Sequence, residues 1–373
     1  MNVPSVSRPA FLKIRLSSAL LLLNIFLLTA FTCPAQKILR VGVAGLTHDH
    51  VHNIMRQFKK GEVIIAGIAE ADEQLVARYK KTYQLPDSLF YKSLPALLEH
   101  VKPDAVLAYN SIVEHLGVVE ICAPKGISVM VEKPLATTVK DAERIAALAR
   151  QYHIHVLTNY ETTWYNTNQQ INDMVNTEHA IGEVRKMIVH DGHQGPKEIG
   201  CSPDFLNWLT DPVKNGGGAI RDFGCYGADM MTWLMKGQAP ISVTAITHHI
   251  KPSIYPKVDD DATILLEYAD ATGIIEASWN WPFSIKDMEV FGVTGYLHAL
   301  NDKNLEQRST QRTYDSIPVR PAAYRDNLPY LADVLSGKTD PGNDCSSLVT
   351  NLIVVRILAA ASKSAAEGKK IVL

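Results

Sequence analysis

The sequence predicts an α/β protein: an N-terminal doubly wound parallel (Rossmann) sheet, then an α+β domain with a large open, mostly antiparallel sheet. Three observations carry this. Short, continuously apolar strand segments alternate with helical stretches over the first part of the chain, the pattern of a parallel sheet covered on both faces. From about Gly182 longer strands follow one another with few helices between them, as in a sheet with one packed and one free face. A glycine-bearing turn joins the first strand to the first helix, where a doubly wound sheet seats a dinucleotide. The 373 residues suffice for two domains, and a composition 46% hydrophobic and 20% charged can build a large core. A formal net charge of -2 gives no electrostatic reason to expect nucleic acid as a partner.

The N-terminus comes first in chain order. Arg8, Lys13 and Arg15 precede the apolar run SSALLLLNIFLLTAFT, and a polar CPAQ follows it. The run is short for a spanning helix, so it reads as a secretory signal peptide cut after Ala35, with the small Cys33 and Ala35 in the cleavage pocket. The expected organisation is therefore a signal peptide over 1–35, a dinucleotide-binding domain over 36–160 and a second, α+β domain over 161–373, to which the resemblance given below assigns substrate binding and oligomerisation. The expected location is periplasmic or secreted. An uncleaved segment would instead anchor the chain in a membrane, and no other membrane contact is expected. Phe31 and Thr32 disfavour a lipid on Cys33, and no Arg-Arg pair signals export of a prefolded chain. Cys122, Cys201, Cys225 and Cys345 lie far apart with no C-x-x-C, which disfavours zinc. Export permits a disulfide, but spacing identifies no pair, and buried free thiols are the simpler reading.

After the signal segment, ILRVGVAG is a buried strand with a helix following from about His50. VIIAGIAE is the second strand and DEQLVARYKKTY a helix. DAVLAYN, ISVMVE and IHVLTNY are three more strands, with helical segments around Glu114 to Ala123 and Val139 to Tyr152 between them. The domain boundary falls near Tyr160. Beyond it VRKMIVHDG, ISVTAITHHI, ATILLEYA, GIIEASWNW and DMEVFGVTG read as long strands, and a helix starts near Gly224 and runs through ADMMTWLM. The final SSLVTNLIVVRILAAASKSAAEG is a long helix ended by Gly368, placed to pack back on the first domain.

The stretch RVGVAGLTHDHVH admits two chemistries. Gly42, Ala44 and Gly45 would let a turn close and bring backbone N–H groups to a pyrophosphate, with Thr47 where a third glycine is expected. Glu70 ends the second strand, followed by Ala71 and Asp72. A carboxylate there accepts hydrogen bonds from the adenosine ribose and repels a 2′-phosphate, favouring NAD over NADP. The competing reading takes His48, His50 and His52 as metal ligands, as in hydrolases built on (β/α)8 barrels. Such a site needs more ligands at later strand ends, where Glu70, Asn110, Glu132 and Asn159 are a thin supply, and a barrel cannot turn antiparallel halfway. No metal is therefore expected, and the histidines are assigned to the helix start beside the cofactor.

VMVEKPLATT places Glu132, Lys133 and Pro134 at the end of the fifth strand. With GVAGLTH, Glu70, YNSIVEH and GGGAIRDFGCYGADMMTWL, it makes the chain from Ile38 onward resemble the glucose-fructose oxidoreductase / inositol dehydrogenase (Gfo/Idh/MocA) family. The resemblance implies a cofactor site formed by Gly42, Gly45, Leu46, Thr47, His48, Glu70, Asn110, His115, Glu132 and Lys133. It implies that Lys133 lies between the nicotinamide and the substrate hydroxyl, where its charge eases proton removal. Glu132 would hold Lys133 near the nicotinamide ribose, and the Lys133–Pro134 peptide is one that is often cis in the family. Asp222 and Tyr226, four residues apart, would share a helix face. The family commonly carries a histidine general acid/base at the second position; Tyr226 replaces it here, as in the glucose-fructose oxidoreductase branch. A phenol, with a pKa of about 10 in water, would need Lys133 nearby to act as a base. Asp222 would bind substrate hydroxyls or orient Tyr226, and Asp229 would play a supporting part.

NYETTWY carries Glu161 where the resemblance leads one to expect an arginine near the nicotinamide. Trp164 and Tyr165 would stack on a sugar face or lie in the core. The family's face-to-face pairing of open sheets implies a homo-oligomer, dimer or tetramer. The expected function is thus an exported NAD(P)-dependent oxidoreductase acting on a hydroxyl of a sugar, polyol or glycoside, with Lys133, Tyr226 and Asp222 as catalytic residues and Lys133, Trp164, Asp222 and Tyr226 binding substrate. Free NAD is scarce outside the cell, so a tightly retained dinucleotide would have to be recycled in place. That admits redox-neutral glycoside cleavage through a keto-sugar, since some relatives of the family are NAD-dependent glycosidases. The other resolution is a sugar-binding accessory protein that has lost redox chemistry. Thr47 and Glu161 speak for it; Lys133, Asp222 and Tyr226 speak against it.

Overall fold

The computed structural model describes residues 38–310 and 312–373, together with Met1 and Pro4. The signal-peptide reading, its cleavage after Ala35 and Cys33 lie outside the described residues. Six strands form the first sheet: β1 (Arg40–Ala44), β2 (Ile64–Ala69), β3 (Phe90–Tyr91), β4 (Ala105–Ala108), β5 (Ser128–Glu132) and β6 (Val156–Asn159). Their order is β3-β2-β1-β4-β5-β6, with every neighbouring pair parallel. Helices α1 (Val51–Lys59), α2 (Glu73–Tyr83), α3 (Leu94–His100), α4 (His115–Cys122) and α5 (Val139–Tyr152) make the crossovers. β4 and β5 are buried at every position, which is why their sequences are continuously apolar rather than alternating. Local chemistry starts the helices: Asp72 caps α2 by accepting from Gln74 and Leu75 N–H, and Thr138 caps α5 by accepting from Asp141 N–H. The strand order reverses between β1 and β4, which opens a crevice beyond their carboxyl ends.

The second part contains α6 (Asn166–Asn176), β7 (Val184–Gly192), α7 (Pro203–Leu209), α8 (Ala219–Asp222), α9 (Gly224–Leu234), β8 (Ser242–His248), β9 (Asp261–Glu267), β10 (Thr272–Ser278), β11 (Ile285–Gly292), β12 (Gly295–Ala299), β13 (Leu305–Ser309) and β14 (Arg312–Ile317). After them come α10 (Asn327–Leu335), α11 (Leu348–Glu367) and β15 (Ile371–Val372). The nine strands run in the order β14-β13-β12-β11-β7-β10-β9-β8-β15, antiparallel except for the β7–β10 pair. Strand alternation gives the sheet two unlike faces. Ile264 and Leu266 are buried under the helices, while the intervening Leu265 is 42% exposed. Gly227 lets α9 lie directly on β10, since a Cβ there would sit 2.5 Å from Ile275 Cγ2.

The last two helices tie the halves together. Leu328, Leu331 and Val334 of α10 join Met130 and Leu157 in the core on one face of the first sheet. α11 buries Val354, Ile357 and Leu358 against the second sheet and Val355 in the core of the first. Arg356 of α11 also pairs with Glu143 of α5, at 3.0 Å. Gly368, at φ +64°, ends α11. Cys122, Cys201, Cys225 and Cys345 are free thiols.

Candidate active site

The turn after β1 is built around Gly45. Its φ is +80°, and a Cβ there would lie 2.7 Å from Asn110 Cβ, so both backbone shape and space demand glycine. Gly42 does not belong to this turn. It sits inside β1, facing Val106 and Leu97, and serves sheet packing rather than a cofactor. Leu46 N–H donates to Glu70 Oε2 at 3.0 Å, and Asp72 N–H donates to Oε1 at 3.0 Å. Burial raises the Glu70 carboxyl above its ordinary range while these N–H groups oppose the shift. Gly45, Thr47, Glu70 and Asn110 line a cleft of about 430 Å³ with one side of α4. Asn110 Oδ1 is buried and has no hydrogen-bond partner among the described residues. An acceptor oxygen without a donor, next to a carboxylate at the end of the second strand, fits the hydroxyls of an adenosine ribose and its flanking groups. His115 fits less well: it is sealed from solvent, its Nδ1 bonds Leu135 O at 3.1 Å, and burial lowers its pKa to about 4. It buttresses the turn that carries Lys133 instead of lining the cleft.

A segment of the second part crosses this crevice. Ser202 N–H donates to Asp49 Oδ2 at 2.8 Å, Trp208 Nε1–H to Thr47 O at 3.3 Å, and Val113 N–H to Lys214 O at 3.1 Å. Asp204 pairs with Arg78 of α2, and the Phe205 ring packs 4.7 Å from that of His48. Residues 202–214 thus touch the β1–α1 turn, α2 and the β4–α4 connection. The cleft beside Glu70 and the cavity around Lys133 lie on either side of this strap, since Thr47 and Val113 line one and Phe205 and Leu209 the other.

The second cavity, of about 630 Å³, is lined by His48, Lys133, His193, Asp222, Tyr226 and Lys286 among others. Lys133 follows β5 across a cis peptide to Pro134. Its Nζ donates to Asp222 Oδ1 at 2.5 Å and to the Asp222 carbonyl at 2.9 Å, and lies 4.8 Å from the Tyr226 ring centroid. Trp279 Nε1–H holds the other carboxylate oxygen of Asp222 at 3.0 Å. Lys286 of β11 lies 4.7 Å from the same ring and bonds Glu161 Oε2 at 2.5 Å. Side chains from both sheets therefore meet in one place.

Several expectations are corrected here. Asp222 and Tyr226 do not share one helix: Asp222 ends α8, Phe223 breaks the run, and Tyr226 sits in the first turn of α9. Glu132 does not steer Lys133. The Glu132 carboxylate instead bonds His50 Nδ1 at 2.9 Å and Asn159 Nδ2 at 3.0 Å. Trp164 is outside the Lys133 cavity. It lines an adjoining one of about 620 Å³, its indole N–H donates to Asn159 Oδ1 at 3.0 Å, and its ring packs on Tyr330.

The charges follow from the geometry. Burial works against the Lys133 ammonium, but Asp222 overrides it and holds the pKa above the ordinary lysine value. Burial likewise acts to raise Asp222, and Lys133 holds it below its ordinary range. Glu161, despite burial, is brought down to about 2 by Lys286. Tyr226 runs opposite to the expectation of an activated phenol. Burial, with Glu161 and Asp191 adding to it, pushes its pKa well above the ordinary value. Lys133 Nζ lies over the ring but bonds Asp222, so Tyr226 stays a neutral phenol.

His48, His50 and Glu132 have ligand-type atoms all within 4.8 Å of one another. Their hydrogen bonds speak against a metal. His48 Nδ1 accepts His50 N–H at 3.1 Å, which places the proton of a neutral ring on Nε2, the atom turned toward Glu132 at 4.0 Å. Burial keeps that ring neutral, with its pKa well below the usual histidine value. A metal at Nε2 would need the other tautomer and would break the bond from His50.

Sequence reasoning missed Lys286, Trp279, His193 and Asp191. One signal was present: in VRKMIVHDG the buried face carries Met187, Val189 and then Asp191, a carboxyl at an inward strand position. Lys286 lies on an ordinary alternating strand, and nothing local marks it.

Residues 37–160 match the family model for the NAD-binding Rossmann fold of the Gfo/Idh/MocA oxidoreductases, and residues 168–298 match the model for their C-terminal domain. The chain belongs to the Gfo/Idh/MocA family. Within curated relatives, it is 25% identical over 209 residues to trans-1,2-dihydrobenzene-1,2-diol dehydrogenase of Xenopus laevis, covering 55% of this chain and 57% of that one. It is 25% identical over 217 residues to the rhizopine catabolism protein MocA of Rhizobium meliloti, covering 56% and 63%. The matches thus span well short of the relatives' full length. The fold is shared with aldose-aldose oxidoreductase from Caulobacter crescentus, solved with glycerol: TM-score 0.76, 21% identity, 90% of this chain and 100% of that one.

Proposed function

We propose that the chain is an exported NAD-dependent oxidoreductase that moves a hydride between the nicotinamide and a hydroxyl of an uncharged sugar, polyol or glycoside. The observation that carries this is the convergence of Lys133, Asp222 and Tyr226 on one cavity beside a dinucleotide crevice. Glu70, Gly45, Thr47 and Asn110 would hold the adenosine half, and the strap over Thr47 would cross the pyrophosphate. Bound NAD would supply the hydride acceptor or donor. Lys133, fixed as an ammonium by Asp222, orients the substrate oxygen and stabilises negative charge that develops on it. Tyr226 donates to, or relays a proton from, the same oxygen. Both lysines among the described residues of the cavity wall already have carboxylate partners, Asp222 and Glu161, which leaves neither lysine unpaired for an anionic substrate. That favours a neutral polyhydroxylated ligand.

The strap favours a dinucleotide that stays bound between turnovers, and with it the reading in which oxidation and re-reduction occur in place, including glycoside cleavage through a keto-sugar. The test uses the mature chain loaded with NAD and a panel of neutral sugars, polyols and glycosides. Absorbance of reduced nicotinamide, keto-sugar and released aglycone are followed. Turnover is expected with at least one neutral substrate and to fall by at least about 10²-fold in Lys133→Met. Sugar binding without any dinucleotide uptake would sink the proposal in favour of an accessory protein.

A further inference from the structure

Oxidation of an alcohol releases a proton, which a group beside the substrate must take up. Lys133 is held as an ammonium, and the Tyr226 phenol is neutral. His193 cannot serve either: its Nδ1 accepts Gly195 N–H at 2.9 Å, which leaves Nε2 protonated in the neutral ring. A proton taken by Tyr226 must therefore move on.

Tyr226 also forms part of the wall of a much smaller cavity, of about 10 Å³, together with Thr162, Asp191 and Lys286. Two polar atoms of residues in that wall, Asp191 Oδ1 and Thr162 Oγ1, are buried with no hydrogen-bond partner among the described residues. Unpaired buried oxygens are rare, and each calls for a partner. One water needs about 10–15 Å³ of such space and two to four polar partners. Size and chemistry match on both counts.

We propose that this cavity holds a single water bonded to Asp191 Oδ1 and Thr162 Oγ1, and that through it Asp191 takes up the proton that Tyr226 receives from the substrate. The use of this path rests on the oxidoreductase reading; the water site does not. In the oxidation direction NAD held in the crevice would supply the acceptor for the carbinol hydride. The alcohol proton passes to Tyr226 Oη as the phenol proton passes to the water, and a water proton passes to the Asp191 carboxylate. Tyr226 and the water are left unchanged, Asp191 is protonated, and reduction reverses each transfer. Asp191 acts through Tyr226 and is a positioning and relay residue.

Electrostatics agree with this placement. Burial raises the Asp191 carboxyl to about 8, Lys286 and Lys133 oppose the rise, and Glu161 and Asp222 add to it. Tyr165, also within electrostatic reach, is pushed up by burial and stays neutral. His190 and Asp287, on the neighbouring wall, are paired with each other at 2.6 Å. The Lys133–Asp222 and Lys286–Glu161 pairs hold their charge while Asp191 changes its own.

The test combines structure, spectroscopy and kinetics on the full chain. A high-resolution crystal structure is expected to show one ordered water between Asp191 and Thr162. Difference infrared spectra are expected to show a protonated carboxyl that titrates in mildly alkaline solution and is missing from Asp191→Asn. In turnover, wild-type kcat/KM for oxidation rises through the same pH range. Asp191→Asn loses that limb and about 10²-fold in rate, while Thr162→Val loses less and keeps the limb. A dry cavity, or an Asp191→Asn enzyme that keeps the wild-type limb, overturns the proposal. Should Asp191→Asn not fold, the water density, the wild-type carboxyl band and Thr162→Val still decide. If no alcohol is oxidised but the water and the titrating carboxyl are found, the oxidoreductase reading fails and the water–Asp191 assignment stands.

Discussion

A buried ammonium persists when a buried carboxylate answers it, and Lys133 and Asp222 illustrate the cost of parting such a pair. Both side chains are under one-tenth exposed, at 6% and 7%. Asp222→Asn would strand the Lys133 charge and is expected to lower stability by about 3–5 kcal/mol at neutral pH, read by urea unfolding. The sign with pH follows from Asp222 lying below its ordinary value of 3.8. Its contribution is present above that value and is lost as pH falls through the depressed folded value, so the variant's deficit should shrink in acid. Asp191 behaves the other way. Its folded pKa is raised from 3.8 to about 8, so the folded state binds an extra proton between those values and loses stability as pH rises through them. Asp191→Asn is expected to gain in Tm over wild type, by an amount that grows from acid toward pH about 8. A constant difference across that range would show that Asp191 is not buried in the way described.

Elements differ in how plainly the sequence announced them. β1, β2, β4, β5 and β6 were legible because strands buried on both faces are apolar without interruption. α5 was legible because its buried residues Ala142, Ile145, Ala146 and Ala149 recur at helical spacing. α10 and β12 to β14 were not, because their segments are short or mixed in character and their partners come from distant parts of the chain. The strap over residues 202–214 was equally hidden. It holds the crevice through isolated polar contacts, which leave no periodic trace. Its role is open to a direct test. Trp208→Phe keeps an aromatic ring and removes the bond to Thr47 O, and Asp204→Ala removes the pair with Arg78. If the strap retains the dinucleotide, NAD release measured by stopped-flow fluorescence should quicken by about tenfold in the double variant, since roughly 1.4 kcal/mol of lost restraint corresponds to that factor. An unchanged release rate would mean that NAD leaves by another route.

For the whole molecule, the outer face of the second sheet carries exposed apolar side chains that an assembly would cover. Thr244, Leu265, Ile274 and Ile188 are neighbours across four strands on that face. Leu265 and Ile246 are 42% and 57% exposed there. We expect a second copy to cover this face, giving a dimer or tetramer by analytical ultracentrifugation. Leu265→Glu should shift the mass toward monomer with the dinucleotide crevice, on the other side of the chain's second core, left able to bind NAD. A wild-type chain that sediments as a monomer at all concentrations would contradict this.

By itself the sequence determined the two-part architecture, the dinucleotide crevice and the lysine at the end of β5. These rest on periodicity, strand ends and short motifs, and all of them are local. Only the tertiary structure decided what surrounds Lys133. It paired Lys133 with Asp222, brought Lys286 and Glu161 to Tyr226, turned Glu132 toward His50, removed Trp164 from the cavity and placed Asp191 beside a water-sized void. Each of those outcomes depends on which side of a strand a residue faces and on burial among groups far away in the chain. Charge state follows from that burial, and no short stretch of sequence contains it.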